Sequence, residues 1–148
     1  MSLKIAIVCS DFNKPVSEKI LQGCLKYCKK NFGIIGDKSE NKILYSPEIH
    51  HVNGAVEIPL LCQQLLKKFD AVIALGVVIK GDTAHFDYVC KAVTDGVMRV
   101  MLDSQKVIGF GVLMTYNSQQ AFDRVGDNES NKGYTCAQTV HQRLINSC

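Results

Sequence analysis

Residues 70–101 read DAVIALGVVIKGDTAHFDYVCKAVTDGVMRVM, and this stretch decides the fold class. Asp70 to Ile79 is almost continuously apolar. Alternation would mark a strand wetted on one side, whereas an unbroken run marks one covered on both. The turn Lys80-Gly81-Asp82-Thr83-Ala84-His85 interrupts the run. Apolar residues then return at Phe86, Val89, Cys90, Val93, Val97, Val100 and Met101, the spacing of one helical face. A buried strand, a short turn and an amphipathic helix form the unit from which parallel sheets with helices on both faces are built.

The same alternation extends in both directions. Leu3 to Cys9 is a strand-like run, and the turn SDFN follows it. Val16, Ile20, Leu21, Cys24, Leu25, Cys28 and Phe32 then keep a helical period, with Pro15 in the first turn and Gly33 at the stop. GDKSEN (36–41) is a polar loop, and Ile43 to Tyr45 and the stretch up to Val52 are short extended pieces. Pro59 opens a second helix through Lys68. Val107 to Met114 is another buried strand, and Asn117 caps a helix from Ser118 with Gln120 as its capping-box partner. From about Tyr134, Ala137, Val140, Leu144 and Ile145 share a last helical face. The predicted order is β-α-β-α-β-α-β-α-α, a parallel sheet of four strands in a single domain over 1–148.

Composition narrows the classes. The chain has 148 residues, 47% hydrophobic and 21% charged, which excludes a disordered or fibrous protein. Its apolar runs are far shorter than the roughly 20 residues of a membrane span. A net charge of +3 is too weak to mark a nucleic-acid-binding surface. Lys29, Lys30, Lys67 and Lys68 sit near predicted helix ends, where they suit the dipole. The seven cysteines are odd in number and form no C-x-x-C pair, which speaks against a disulfide framework. They read as small hydrophobes, and with no targeting segment before the first strand the expected compartment is a reducing cytoplasm. Cys24 and Cys28 share a helical face, but no matching ligands accompany them, so no metal is expected.

Ligands of open α/β sheets bind outside the carboxyl ends of the strands. Four segments fall there: SDFN, GAVE, GDTAH and MTYN. GDTAH opens a helix whose free N–H groups suit a phosphate, with Thr83 adding a hydroxyl and His85 placed for proton transfer. The alternative is an N-cap at Asp82 or Thr83 followed by an ordinary surface histidine, and the Asp82 carboxylate would repel an anion it faced. Phe12 offers a flat face for a planar ring, or caps the core. Glu57, between Val56 and Ile58, needs a partner and either takes sugar-like hydroxyls or caps the Pro59 helix. Arg124 and Lys132 are candidate phosphate-binding cations or solvated surface charges. His50, His51 and His141 have no partner the sequence reveals and read as structural.

Five segments in order carry a resemblance: IAIVCSDFN (5–13), GAVEIP (54–59), ALGVVIKGDTAHFDYVC (74–90), GVLMTYNSQQAFDR (111–124) and NKGYTCA (131–137). Together they resemble the 6,7-dimethyl-8-ribityllumazine synthase family over nearly the whole chain. The resemblance implies a flavodoxin-like three-layer sandwich that condenses 5-amino-6-(D-ribitylamino)uracil with 3,4-dihydroxy-2-butanone 4-phosphate. The products are the lumazine, phosphate and water, in riboflavin biosynthesis, with no metal or organic cofactor. It implies pentamers, which in some members build a sixty-subunit shell, with sites between subunits and association with riboflavin synthase.

By position, Phe12 stacks on the pyrimidine, while Ala55, Val56 and Glu57 hold it and its ribityl chain. Val77, Val78 and Ile79 line the ring by backbone contact. Asp82 and Thr83 form the phosphate-holding turn, and His85 transfers protons. Phe110 and Lys132 reach the pyrimidine side from a neighbouring subunit, whose Arg124 holds the phosphate. Some positions depart from the family pattern. Val56 stands where many members carry an aromatic, and Lys80 replaces a common arginine. The connection from Gly33 to His51 is longer than usual, the amino terminus is short, and Asp127 to Ser130 replaces a glycine-containing turn. The competing readings are a non-catalytic flavin- or lumazine-binding homologue and a flavodoxin-type electron carrier. The second wants a glycine- and hydroxyl-rich first loop, which SDFNKP is not.

Overall fold

The computed structural model describes residues 1–147, so Cys148 lies outside the described residues. Five parallel strands, β1 (Leu3–Ser10), β2 (Gly33–Ile34), β3 (Ile43–Val52), β4 (Ala71–Ile79) and β5 (Ile108–Thr115), stand in the order β2-β3-β1-β4-β5. The helices are α1 (Lys14–Asn31), α2 (Ile58–Leu65), α3 (His85–Ser104), α4 (Ser118–Asp123) and α5 (Lys132–Asn146), with a 3-10 turn at Ala55–Glu57 before α2.

The unbroken apolar strands have the expected cause. Along β1, Ile5, Ile7 and Cys9 enter one core, packed with Ile20, Cys24 and Val140 of α1 and α5. Ala6 and Val8 enter the other, packed with Ile58, Cys62, Val93 and Val97 of α2 and α3. Strand β4 divides likewise, sending Ile73, Leu75 and Val77 to the first core and Val72 and Ala74 to the second. The buried apolar residues of β1 and β4 are thus divided between the two layers of helices.

The sheet has five strands where four were expected. The addition, β2, is two residues long and pairs Gly33 with Leu44 and Ile34 with Tyr45 at the sheet edge, too short to leave a hydropathy pattern. The extended pieces from Ile43 to Val52 are one strand. Its pairing with β1 slips between Ile5↔Tyr45 and Ile7↔Ile49, so the segment holding Pro47 bulges out of the ladder it cannot donate to. Lys29 and Lys30 lie in the last turn of α1 as expected. Gln120 departs from the capping box: its Oε1 accepts from the Tyr116 N–H (2.8 Å), one residue before the cap, while Asn117 Oδ1 accepts from Gln120 N–H (2.9 Å).

The described cysteines are free thiols, and Cys9, Cys24, Cys28, Cys62 and Cys136 are buried. Burial pushes Cys9, Cys62 and Cys136 up to about 12, so they act as small apolar groups.

Helix α5 starts at Lys132, two residues earlier than expected, because Asn131 caps it. The Asn131 side chain is buried (3% exposed) and fully bonded: Oδ1 accepts from Gly133 and Tyr134 N–H, and Nδ2 donates to Lys19 and Gly126 carbonyls. One residue therefore ties the start of α5 to the middle of α1. Farther along the same crossing Tyr27, Phe32, Tyr134 and His141 form an edge-to-face cluster, with the Tyr27 hydroxyl 2.8 Å from His141 Nδ1. The expectation that His141 has no partner is corrected here; the pair joins residues 114 apart in sequence.

Burial holds His141 below its ordinary 6.5, since desolvation disfavours the imidazolium. The unfolded chain then binds more protons than the folded one in mild acid. Stability tied to this contact is complete above the unfolded value and is lost as pH falls through the lower folded one. Between about pH 7.5 and 5.5 the thermal midpoint of the wild type is expected to drop further than that of His141→Gln. Equal drops would show that the contact carries none of the pH dependence.

Candidate active site

At the carboxyl ends of β1, β3 and β4 the chain leaves the sheet in three successive loops, and a hollow of about 440 Å³ opens between them. Phe12 comes from the loop after β1. Ala55, Val56 and Glu57 come from the 3-10 turn that follows β3. Val77, Val78 and Ile79 are the last residues of β4, and Thr83 and His85 come from the turn into α3. These nine residues, expected from sequence as one site, line this one hollow.

Local physics sets each position. The Phe12 loop is bonded to the loop after β3 by Asp11 N–H to Val52 O (2.8 Å) and Phe12 N–H to Asn53 O (3.0 Å). Asn13 then takes a left-handed backbone (φ 58°), which asparagine tolerates well, and turns the chain into α1. Phe12 itself is 64% exposed, an apolar face held at the rim rather than folded over the core. Glu57 Oε2 accepts from Gly54 N–H (2.9 Å), closing the turn. Its carboxylate is exposed, so the group that organises the turn also presents acceptor oxygen to a ligand. The expectation that Glu57 caps the Pro59 helix is corrected: its side chain makes no cap bond to α2 and closes the preceding 3-10 turn instead, while its exposed carboxylate is compatible with hydroxyl binding.

His85 is the first residue of α3, and its own N–H donates to Thr83 Oγ1 (3.3 Å). The amino end of a long helix thus faces the hollow, with the positive end of its dipole favouring an anion. Asp82 is exposed and does not line the hollow. Beside this turn Tyr116 lies 6.2 Å from Phe86 and under the Lys80 ammonium (5.6 Å).

Four lining residues were not singled out as site residues: Gly54, Gly81, Phe86 and Val89. The glycines stand inside the motifs GAVE and GDTAH, where a missing side chain was the available signal. Phe86 and Val89 belong to the apolar face expected of α3. The helix's apolar stripe serves two purposes: Val93, Val97 and Val100 are buried in the core, while the first turn of the stripe walls the hollow.

Phe110, Arg124 and Lys132 do not join this group. Phe110 and Lys132 line a separate hollow of about 740 Å³ beside β5, the edge strand, together with residues from the end of α3 and from α5. Arg124 caps the end of α4, its Nη1 donating to Gln120 O (2.8 Å), and its carbonyl accepts from Lys132 N–H (2.8 Å). Nine of the expected site residues therefore share one hollow and Phe110 and Lys132 share another, while Asp82 and Arg124 line neither.

Comparison with known proteins gives the family. The family model for 6,7-dimethyl-8-ribityllumazine synthase matches residues 2–145. A 6,7-dimethyl-8-ribityllumazine synthase from Bdellovibrio bacteriovorus is 43% identical over 143 residues, spanning 96% of this chain and 74% of that protein. The quoted motifs, the sheet that carries them and this match agree along almost the full length, and the chain belongs to the 6,7-dimethyl-8-ribityllumazine synthase family.

Proposed function

We propose that the chain condenses 5-amino-6-(D-ribitylamino)uracil with 3,4-dihydroxy-2-butanone 4-phosphate, forming 6,7-dimethyl-8-ribityllumazine, phosphate and two molecules of water in riboflavin biosynthesis. The observation that carries this reading is the meeting of Phe12, Glu57 and His85 around one hollow at the strand ends. The pyrimidine stacks on Phe12 against the backbone of Val77, Val78 and Ile79, and its ribityl hydroxyls reach Glu57 through the Ala55–Val56 turn. The phosphate of the second substrate lies at the α3 amino end near Thr83, with Asp82 shaping the turn from outside. The pyrimidine's amine attacks the ketone, the carbinolamine loses water, phosphate leaves by elimination, and the ribitylamine closes the ring with loss of the second water. Each step moves a proton, and His85 is placed to carry it.

The leaving phosphate is a dianion, and a guanidinium is the natural counter-charge. Arg124 lies outside the hollow of its own chain, as do Phe110 and Lys132. This separation supports a site completed by a second subunit, in a homopentamer or a shell built from pentamers. The exposed Tyr88, Met98 and Leu102 of α3 are apolar surface of the kind such contacts cover. No helix among the described residues is long and apolar enough to cross a membrane, and a cytoplasmic site of action fits the two soluble substrates.

The test mixes protein with both substrates and follows lumazine fluorescence and phosphate release beside the uncatalysed condensation. Matched, protein-dependent appearance of both products is expected. A rate equal to the blank in folded, assembled protein would overturn the assignment. In the same assay Arg124→Ala should raise the apparent KM for the phosphate substrate about tenfold, the scale of a lost charged hydrogen bond. An unchanged KM, or an active species with the mass of one chain, would remove the shared-site part.

A further inference from the structure

His51 read as structural from sequence, yet its Nδ1 donates to Asp11 Oδ1 at 2.7 Å, across a separation of 40 residues. In the β1–β3 ladder Cys9 faces His51, so Asp11 is the next residue of β1's chain on that side, just beyond the strand end. The pair sits over a small hollow that also contains Lys14 and Glu18 of α1. It does not line the larger cavity. Asp11 precedes Phe12, however, and His51 precedes the Val52–Asn53 carbonyls that hold Asp11 and Phe12 by their N–H groups. The side-chain pair is thus a third tie between the loop that presents Phe12 and the loop that leads into Gly54–Glu57.

We infer that Asp11 and His51 form a positioning pair: they fix the angle of the Phe12 ring to the Glu57 turn, and so the width of the slot for the pyrimidine. This rests on the function proposed above. Two backbone bonds alone leave the loop a hinge between Asp11 and Asn13, and a planar ligand is sensitive to a small rotation of its stacking face. The ribityl chain is bound on the other side of the same slot, so a rotated Phe12 weakens the pyrimidine substrate without touching the α3 turn where phosphate lies. Both partners are about half exposed, 50% for His51 and 40% for Asp11. An exposed pair has modest strength, and its loss corresponds to about a three- to fivefold effect on binding.

The test compares Asp11→Ala, His51→Ala, their double variant and Asp11→Asn with wild type, each with both substrates varied. The expected result is a three- to fivefold rise in KM for the pyrimidine in either alanine variant, with no further rise in the double. The KM for the butanone phosphate and kcat should stay within about twofold, and Asp11→Asn, which keeps an acceptor for His51, should recover most of the loss. An unchanged pyrimidine KM in both alanine variants, or additive effects in the double, would overturn the pairing while wild-type activity left the function intact. Wild type no faster than the blank would overturn the function and the pair with it.

Discussion

Gly133→Ala is expected to lower the thermal midpoint by about 4–8 °C, the equivalent of about 2 kcal/mol in a chain this size. A Cβ at Gly133 would stand 1.9 Å from the Ile20 carbonyl oxygen and 2.9 Å from the Cys24 nitrogen, both backbone atoms of α1. No side chain can swing aside to relieve such contacts, so the two helices must separate. Separation would stretch the bond from Asn131 to the Lys19 carbonyl and loosen Val140 and Cys136 against Ile20 and Cys24. Overpacking a close contact costs about 1–3 kcal/mol and at times more, while alanine's better helix propensity returns only about 1 kcal/mol. Differential scanning calorimetry checks it, with Gly81→Ala as the control, since a Cβ there meets nothing within 4 Å. A midpoint within about 2 °C of wild type would show that the α1–α5 contact yields at little cost.

That contact also shows what a sequence does and does not make visible. Strand β4 and helix α3 were legible because both faces of the sheet are covered, which leaves an unbroken apolar run and then a 3.6-residue stripe. Of the nine residues of the first hollow, Phe12, Glu57, Thr83 and His85 were legible because they lie in short segments next to strand ends, whereas Ala55, Val56, Val77, Val78 and Ile79 came only with the family resemblance. Gly133, by contrast, sits in a segment whose resemblance was plain while its reason was hidden: it needs a helix more than a hundred residues earlier to lie against it. His51 with Asp11 and His141 with Tyr27 were hidden for the same cause, since each pair exists only once register and helix packing are set. The two-residue β2 fell below any periodic signal, and the bulge at Pro47 divided β3 into pieces on paper. The apolar stripe of α3 was correct in period but silent about depth, so nothing in it showed that Phe86 and Val89 wall the hollow. For Arg124, Lys132 and Phe110 the limit is different. They lie outside the hollow of their own chain, and in the shared site proposed above the distance that matters runs to another copy of the chain.

His85→Ala is expected to lower kcat about a hundredfold, near the lower end of what general acid–base groups contribute. The imidazole begins α3, exposed and lining the hollow, with its backbone N–H tied to Thr83, so truncation removes the proton carrier without disturbing a core. The pyrimidine contacts proposed for Phe12 and Glu57 lie elsewhere on the rim, and its KM should change by less than about threefold. Activity survives because holding two reactants in register can supply about 7–11 kcal/mol in favourable cases, and these substrates need only an amine beside a ketone. The loss should be steepest where wild type depends on proton transfer, so the variant's rate should follow added buffer acids more closely than the wild-type rate does. Single-turnover kinetics of lumazine formation, with phosphate release followed in parallel, separates the outcomes. A fall of less than about threefold would remove His85 from proton transfer and leave the α3 dipole and orientation as the chemistry's main support. Complete loss in a correctly assembled protein would mean that register alone is not enough. The histidine would then do more than carry protons between groups already in place.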